Sequence, residues 1–508
     1  MRTLATFAAD AAHAHRDAVA LKFPGGQLSY AELADRVQQT AGALAAMGMT
    51  KSDKVALLAD TSPEWTVCDL AVAALGAVCV PVYPTNSAEE NAWVLSDSGT
   101  KLAVCGNETQ RTRTGDVPTV MLGELSGGGT FAAPAVGPDD VNTIIYTSGT
   151  TGPPKGCLIT HANWFATIDA ITSLSAMTVG STMYLYLPLA HMFARTVQFA
   201  TLATGATLVF WGGDVTRIVD DLGELKPTHV PSVPRLFEKA YARVASMLDE
   251  EQRAEYGPAI VQGIFGGNVV EALTGGAPIA KEILEFFGAC GVPIYEAYGL
   301  TEATALISSN SPGATKHGTV GKALAGVEVR IAEDGEILTR GKHVFPGYHN
   351  NPQATAETIR DGWLHTGDLG ELDDEGYLTI TGRKKDLIIT SAGKNLSPAN
   401  MENDLRQCRW ISQAVMYGDR RPYAVALLTL DREEVDRAGI SEQEARDLVD
   451  QFVYEVNQRY APPEQVRRHT ILDHDFTPET GDLTPSLKVR RKVVFERYAG
   501  LFESLYGN

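Results

Sequence analysis

Cysteine is scarce in this chain, basic charge is outnumbered, and no stretch is both long and uniformly apolar. The six cysteines (Cys68, Cys79, Cys105, Cys157, Cys290 and Cys408) fall singly, with no C-x-x-C pair among them. That spacing argues against a disulfide framework and a thiolate metal cage, and fits a reducing compartment. Lysine and arginine total 43 against 62 aspartates and glutamates, a formal net charge of -19. Such a balance argues against a protein that coats nucleic acid, and any phosphate site must gather its cations locally. The longest apolar run, residues 66–83, contains Asp69 and Pro81. It predicts a buried helix running into a buried strand, not a transmembrane segment. The opening "MRTLATFAADAAHAHRD" lacks the apolar centre of a secretory signal. A cytoplasmic protein with no nucleic-acid partner is expected.

What is present points to a multidomain soluble enzyme. A chain of 508 residues exceeds one compact core, and 44% hydrophobic with 21% charged residues is ordinary for a globular protein. Amphipathic stretches such as "SYAELADRVQQTAGALAAMG" alternate with short apolar runs such as "KVALLA", "AVCVPVYP" and "KLAVCG". That alternation predicts an α/β fold with doubly wound parallel sheets. From about residue 320 the texture changes to short strands and turns, and it changes again near "GRKKD". The expected division is a large N-terminal domain, 1–384, and a small α+β C-terminal domain, 385–508.

The segment "YTSGTTGPPKGCLITH", residues 146–161, packs hydroxyl residues, glycines and one lysine into a single loop. A Walker loop requires G-x-x-x-x-G-K-[ST] opening onto a helix. Here Pro154 precedes Lys155, and "CLIT" after Gly156 reads as another strand. A strand-loop-strand turn is therefore expected, whose N–H groups and hydroxyls could form an anion site. Taken alone, the loop is equally a Gly/Pro-rich surface turn.

Seven further segments follow it: "LPLAHMFAR" (187–195), "TGGAP" (274–278), "YEAYGLTEA" (295–303), "GEILTRG" (335–341), "WLHTGDLG" (363–370), "GRKKDLIITSAGKNLSP" (382–398) and "LTPSLKVRRK" (483–492). Together and in this order they resemble the core motifs of the adenylate-forming superfamily: acyl-CoA synthetases, peptide-synthetase adenylation domains and luciferases. The wording of "LPLAHMFAR" and "LTPSLK" is most similar to long-chain fatty acyl-CoA synthetases. The resemblance implies a small β-barrel-like subdomain in the N-terminal domain and a mobile C-terminal domain. It implies an ATP-dependent acid–thiol ligase that makes acyl-AMP and pyrophosphate, then a thioester with CoA. An acyl-AMP ligase loading a carrier-protein pantetheine stays open, as do a homodimer and a peripheral membrane contact.

Residue by residue, the resemblance implies that Thr147, Ser148, Gly149, Thr150, Thr151, Gly152 and Lys155 cradle the β- and γ-phosphates. It puts Gly276, Ala277 and Pro278 against the purine edge, Tyr298 on its face, and Glu296, Ala297 and Ile380 among the nucleotide contacts. Thr301 would touch the α-phosphate, and Glu302 would hold Mg2+, a hard cation suited to carboxylate and phosphate oxygens. Asp368 and Arg383 would hold the ribose. Lys488 would bridge carboxylate and α-phosphate during adenylation, and Lys385 would be the hinge. His191, Phe193, Gly275 and Gly393 would line the acyl and thiol pocket. Other readings compete: "TEA" as a helix N-cap, Asp368 as a capped turn, His191 as structural, and Arg490, Arg491 and Lys492 as a solvated basic run. An aliphatic acid is expected, because residues 192–203 and 226–237 offer no carboxylate for an amino group. They offer the apolar Met192, Phe193, Val197, Phe199, Val230 and Val233 instead.

Overall fold

The computed structural model describes residues 2–147, 153–391, 393–484 and 488–507. Two parallel-cored sheets form the N-terminal part. The six-stranded sheet runs in the order Thr119–Met121, Leu102–Cys105, Lys54–Leu58, Val78–Val82, Val141–Thr147, Lys155–Thr160. All its pairs are parallel except the last, an antiparallel hairpin. The nine-stranded sheet has a parallel centre that includes Thr182–Leu185, His229–Ser232, Glu271–Gly275 and Ile294–Tyr298.

Helix Pro63–Ala74 is buried at nearly every position and belongs to the main core. Pro63 at its first turn and the Ser62 hydroxyl, which accepts from the Trp65 N–H at 3.2 Å, fix its start. It leads into the fully buried strand Val78–Val82, as the 66–83 pattern predicts. Asp69 is tolerated there because Arg195 pairs with it at 2.5 Å. Gln198 and Thr143 take part in the same network, and the guanidinium stacks 5.0 Å from the Trp164 ring centroid. A buried charge that is paired and hydrogen-bonded avoids most of its desolvation cost.

The expected β-barrel-like subdomain is an antiparallel five-stranded sheet, Val327–Ile331, Glu336–Gly341, Trp363–Leu372 and Ile359–Arg360, with Leu378–Arg383 on Trp363–Leu372. No strand pair among the described residues closes it into a barrel. Residues 388–505 carry separate cores around the three-stranded sheet Ile411–Tyr417, Ala424–Leu430 and Val466–Ile471. Ion pairs join them to the N-terminal part: Arg235 to Asp431, Lys239 to Glu433 at 3.2 Å, and Arg490 to Glu90. Among the described residues, no helix is long and apolar enough to cross a membrane.

Candidate active site

The hydroxyl- and glycine-rich loop joins the strands Val141–Thr147 and Lys155–Thr160, which pair antiparallel with Thr147 opposite Lys155. This is the strand-loop-strand turn expected from Pro154 and "CLIT", and not the strand-to-helix step of a Walker loop. Ser148, Gly149, Thr150, Thr151 and Gly152 lie outside the described residues. The far side of the loop is held where the Trp93 indole N–H donates to the Pro154 carbonyl at 2.9 Å.

Residues 347–349 run beside the second strand. The Leu158 N–H donates to the Gly347 carbonyl at 3.1 Å, and the His349 N–H to the Gly156 carbonyl at 2.7 Å. Gly156 must be small there, since a Cβ would come within 2.7 Å of Ile144 Cγ2. That pairing delivers Tyr348, which no motif marked. Its phenol donates to Glu302 Oε1 at 2.7 Å, and Lys155 Nζ sits 5.1 Å from its ring centroid. Lys155 and Glu302 are thereby joined through one aromatic ring.

Thr301 and Glu302 sit on a single 3-10 turn, Thr301–Ala303. The expectation of a helix N-cap fails here, because the turn ends in Thr304 and Ala305 with φ of 47° and 80°. Non-glycine residues in this region cost conformational energy and persist only when their surroundings fix them. Here the Thr304 hydroxyl donates to the His343 carbonyl at 2.7 Å, and the Phe345 N–H donates to the Glu302 carbonyl at 2.9 Å.

Asp368 and Arg383, fifteen residues apart, face each other across the hairpin Trp363–Leu372/Leu378–Arg383. Asp368 accepts from Arg383 Nε at 2.6 Å through one oxygen and from the Tyr298 phenol at 2.8 Å through the other. Ile380 lies on the same hairpin, opposite Gly370. Gly275 pairs with Ala297 across neighbouring strands, and Gly276 (φ 83°) turns the chain out toward exposed Ala277 and Pro278. Glu296 is buried and accepts from the Ile279 N–H, yet burial pushes its pKa up to about 8. Its Oε2 has no hydrogen-bond partner among the described residues.

Lys488 arrives from the C-terminal part. Its N–H donates to the Thr484 hydroxyl at 3.0 Å, and its carbonyl accepts from the Thr484 N–H at 2.7 Å, closing the turn; residues 485–487 lie outside the described residues. The side chain is solvent-accessible, but the cleft walls surround it. Burial lowers its pKa, as do Arg383 and Lys385, against Asp368 and Glu302. Burial also pushes His191 down to about 4, with Lys488 adding to the shift, so the imidazole is neutral. His191 caps helix Met192–Ala203: its Nδ1 accepts from the Phe193 N–H at 3.1 Å. Lys385 lies on the turn Lys384–Asp386, its pKa lowered by burial and then by Arg383. Gly393 (φ 74°) closes the turn between Ile388–Ile389 and Asn395–Leu396, its N–H donating to the Thr390 carbonyl at 2.9 Å.

The neighbouring basic residues do not form a solvated run. Arg490 pairs with Glu90 and Arg491 with Glu402; Lys492 alone of the three is largely exposed.

A narrow pocket opens beside helix Met192–Ala203. Phe193, Val197 and Val230 line it as expected, together with Met183, Leu273 and Leu306. Phe199 points elsewhere, edge-on to Trp164 and Phe7, and Met192 is buried in the main core. Val233 is exposed. An acidic residue does reach the pocket: Glu271, from the strand beside residues 229–232. The two segments searched for carboxylates did not contain it.

Among the described residues, no group of three or more His, Cys, Asp or Glu could hold a metal. A single carboxylate such as Glu302 fits Mg2+ only in the mode where nucleotide phosphates supply the other ligands.

Comparison with known proteins shows the family. Residues 8–349 match the AMP-binding enzyme family, and residues 385–508 match the AMP-binding enzyme C-terminal domain. The chain is 36% identical over 550 residues to the long-chain-fatty-acid–CoA ligase FadD15 of Mycobacterium bovis, covering 94% of this chain and 92% of that one. It is 28% identical to long-chain-fatty-acid–CoA ligase 5 of Mus musculus, covering 94% and 84%. Among solved structures, the O-succinylbenzoate coenzyme A synthetase of Bacillus subtilis in complex with AMP superimposes with a TM-score of 0.79 at 25% identity, covering 96% and 97%. A Mycobacterium tuberculosis fatty acyl CoA synthetase gives 0.70 at 25% identity, covering 98% and 99%. The chain belongs to the AMP-binding enzymes of the adenylate-forming superfamily and is most like the long-chain fatty acyl-CoA synthetases.

Proposed function

We propose that this protein is a fatty acyl-CoA synthetase that couples ATP cleavage to thioester formation, releasing AMP and pyrophosphate. One observation carries the reading: Lys488 enters the cleft where Glu302, Asp368 and Arg383 converge, and its charge is coupled to all three. Joining a carboxylate to a nucleotide brings two anions together, so cations held in place lower the barrier most.

In the first step a carboxylate oxygen attacks the α-phosphorus, and the bond to the pyrophosphate oxygen breaks. Lys488 spans the two negative groups, Thr301 contacts the α-phosphate, and Lys155 with the loop after Thr147 holds the outgoing pyrophosphate. Asp368 and Arg383 hold the ribose, and Tyr298 the adenine. Mg2+, when bound, would supply charge neutralisation for the phosphates, and Glu302, oriented by Tyr348, would be the side chain that holds it. In the second step the CoA thiol gives up its proton, its sulfur attacks the acyl carbonyl, and AMP departs with the carboxylate-derived oxygen. Residues 385–508 turn about Lys385 between the steps, removing Lys488 and bringing Gly393 to the thiol path.

The acid is aliphatic, since most of the pocket beside Phe193 is lined by hydrocarbon. Each methylene buried there should add roughly 0.8 kcal/mol, so kcat/KM should climb about fourfold per carbon, roughly fifteenfold per two. The test is pyrophosphate release with saturated acids of increasing length beside benzoate and phenylalanine. A flat response to length, or a preference for phenylalanine, contradicts the reading.

A further inference from the structure

The hydrocarbon pocket has a polar end. His229 and Glu271 are the first residues of the neighbouring parallel strands His229–Ser232 and Glu271–Gly275, and they stand opposite each other in register. Gly275, at the other end of the same strand, adjoins the proposed purine wall. Four residues of strand rise about 3.3 Å each, roughly 13 Å in all, the span of about ten extended carbons. The far end of an acyl chain of that length would reach His229 and Glu271.

These side chains are not a closed pair. His229 Nε2 lies 4.0 Å from Glu271 Oε2, too far for a direct hydrogen bond. That nitrogen is buried and has no hydrogen-bond partner among the described residues. Its tautomer follows from the other nitrogen. Nδ1 lies 2.8 Å from the Thr228 hydroxyl, which itself donates to the Thr182 carbonyl at 3.0 Å. The Thr228 oxygen therefore receives the Nδ1 proton, and Nε2 is left as an acceptor. Burial pushes His229 down to about 4, so the ring is neutral. Glu271 Oε2 accepts from the Ser175 hydroxyl at 3.2 Å and from the Ala176 N–H at 3.4 Å. On the same pocket wall, the Thr196 hydroxyl is also buried without a partner among the described residues.

A terminal methyl group placed here would leave Nε2 desolvated and unpaired, which is unfavourable. A carboxylate would face Glu271 and the imidazole lone pair. A hydroxyl placed between these two acceptors, 4.0 Å apart, can share its one proton with both in a three-centre hydrogen bond. We propose that His229 and Glu271 form a hydroxyl-recognition subsite at the end of the acyl pocket. The preferred substrates are then acids of about ten carbons that carry a hydroxyl at the far end. This rests on the ligase reading above and adds the substrate class to it.

The experiment measures pyrophosphate release by the full-length protein, with ATP and Mg2+, for saturated acids of six to sixteen carbons. Each is compared with its ω-hydroxy, ω-amino and α,ω-dicarboxylate counterpart, in the wild type, His229→Leu and Glu271→Gln. Near ten carbons the ω-hydroxy acid should exceed the plain acid by about tenfold or more in kcat/KM. That ratio should fall below about threefold in both variants. Glu271→Gln keeps the side-chain shape, so it reads the ratio even where His229→Leu folds poorly. Equal or better use of plain acids at every length overturns the proposal, as does a preference for the ω-amino or dicarboxylate series. A hydroxyl preference that survives in both variants overturns it too. Turnover of plain acids without discrimination removes only the subsite, whereas no turnover of any acid removes the ligase reading itself.

Discussion

The phenol of Tyr348 donates a 2.7 Å hydrogen bond to Glu302 Oε1, and the same ring lies 5.1 Å from the Lys155 ammonium. Burial and then the Glu302 charge raise the Tyr348 pKa, so it remains a donor. A hydrogen bond to a charged group contributes about 1.5–3 kcal/mol. Tyr348→Phe should therefore weaken adenylation roughly ten- to a hundredfold by letting Glu302 swing. The loss should appear as a higher Mg2+ requirement in pyrophosphate exchange, with circular dichroism unchanged. An unaltered Mg2+ dependence would show that Glu302 does not need this anchor.

Lys488→Ala separates the half-reactions. Loss of a cation aimed at the transition state costs about 3–4 kcal/mol, a hundred- to thousandfold in acyl-adenylate formation. Thioester formation from supplied acyl-adenylate should survive. Equal loss in both steps would remove Lys488 from its role.

Proline at Lys385 would fix φ and restrict Lys384 before it. Adenylation should remain measurable in Lys385→Pro, because Lys488 already faces the cleft, while the thioester step should stop. Normal thioester formation would place the pivot elsewhere.

Four buried or half-buried histidines, His161, His191, His229 and His343, have pKa values pushed down to about 4, chiefly by desolvation. The unfolded chain binds these protons near pH 6.5 and the folded chain does not. Stability is therefore complete above about pH 6.5 and declines as pH falls toward 4, by up to about 3 kcal/mol per histidine. The melting temperature should drop steadily from pH 7 to pH 5. A flat profile over that range would mean that these imidazoles charge freely in the folded state.

Much of the site could be read from the sequence because its parts are local. Pro154 and "CLIT" showed that the loop closes a hairpin, and the fifteen-residue spacing of Asp368 and Arg383 matches their pairing across another. Asp69 inside residues 66–83 excluded a membrane span correctly, but its partner Arg195 lies 126 residues away and left no local signal. Tyr348 was equally hidden, since it reaches Glu302 only through the pairing of residues 347–349 with the loop strand. Glu271 escaped because strand register, not sequence distance, carries it to His229. Arg490 and Arg491 looked like a solvated run because Glu90 and Glu402 are supplied by distant helices.

The most direct measurement of the central claim is mass-spectrometric identification of products from ATP, Mg2+ and a saturated fatty acid, with and without CoA. Without CoA, acyl-AMP and pyrophosphate should form, held largely on the enzyme; with CoA, acyl-CoA and AMP should accumulate in equal amounts. Release of ADP and phosphate, or AMP without any acyl-CoA, would contradict the account.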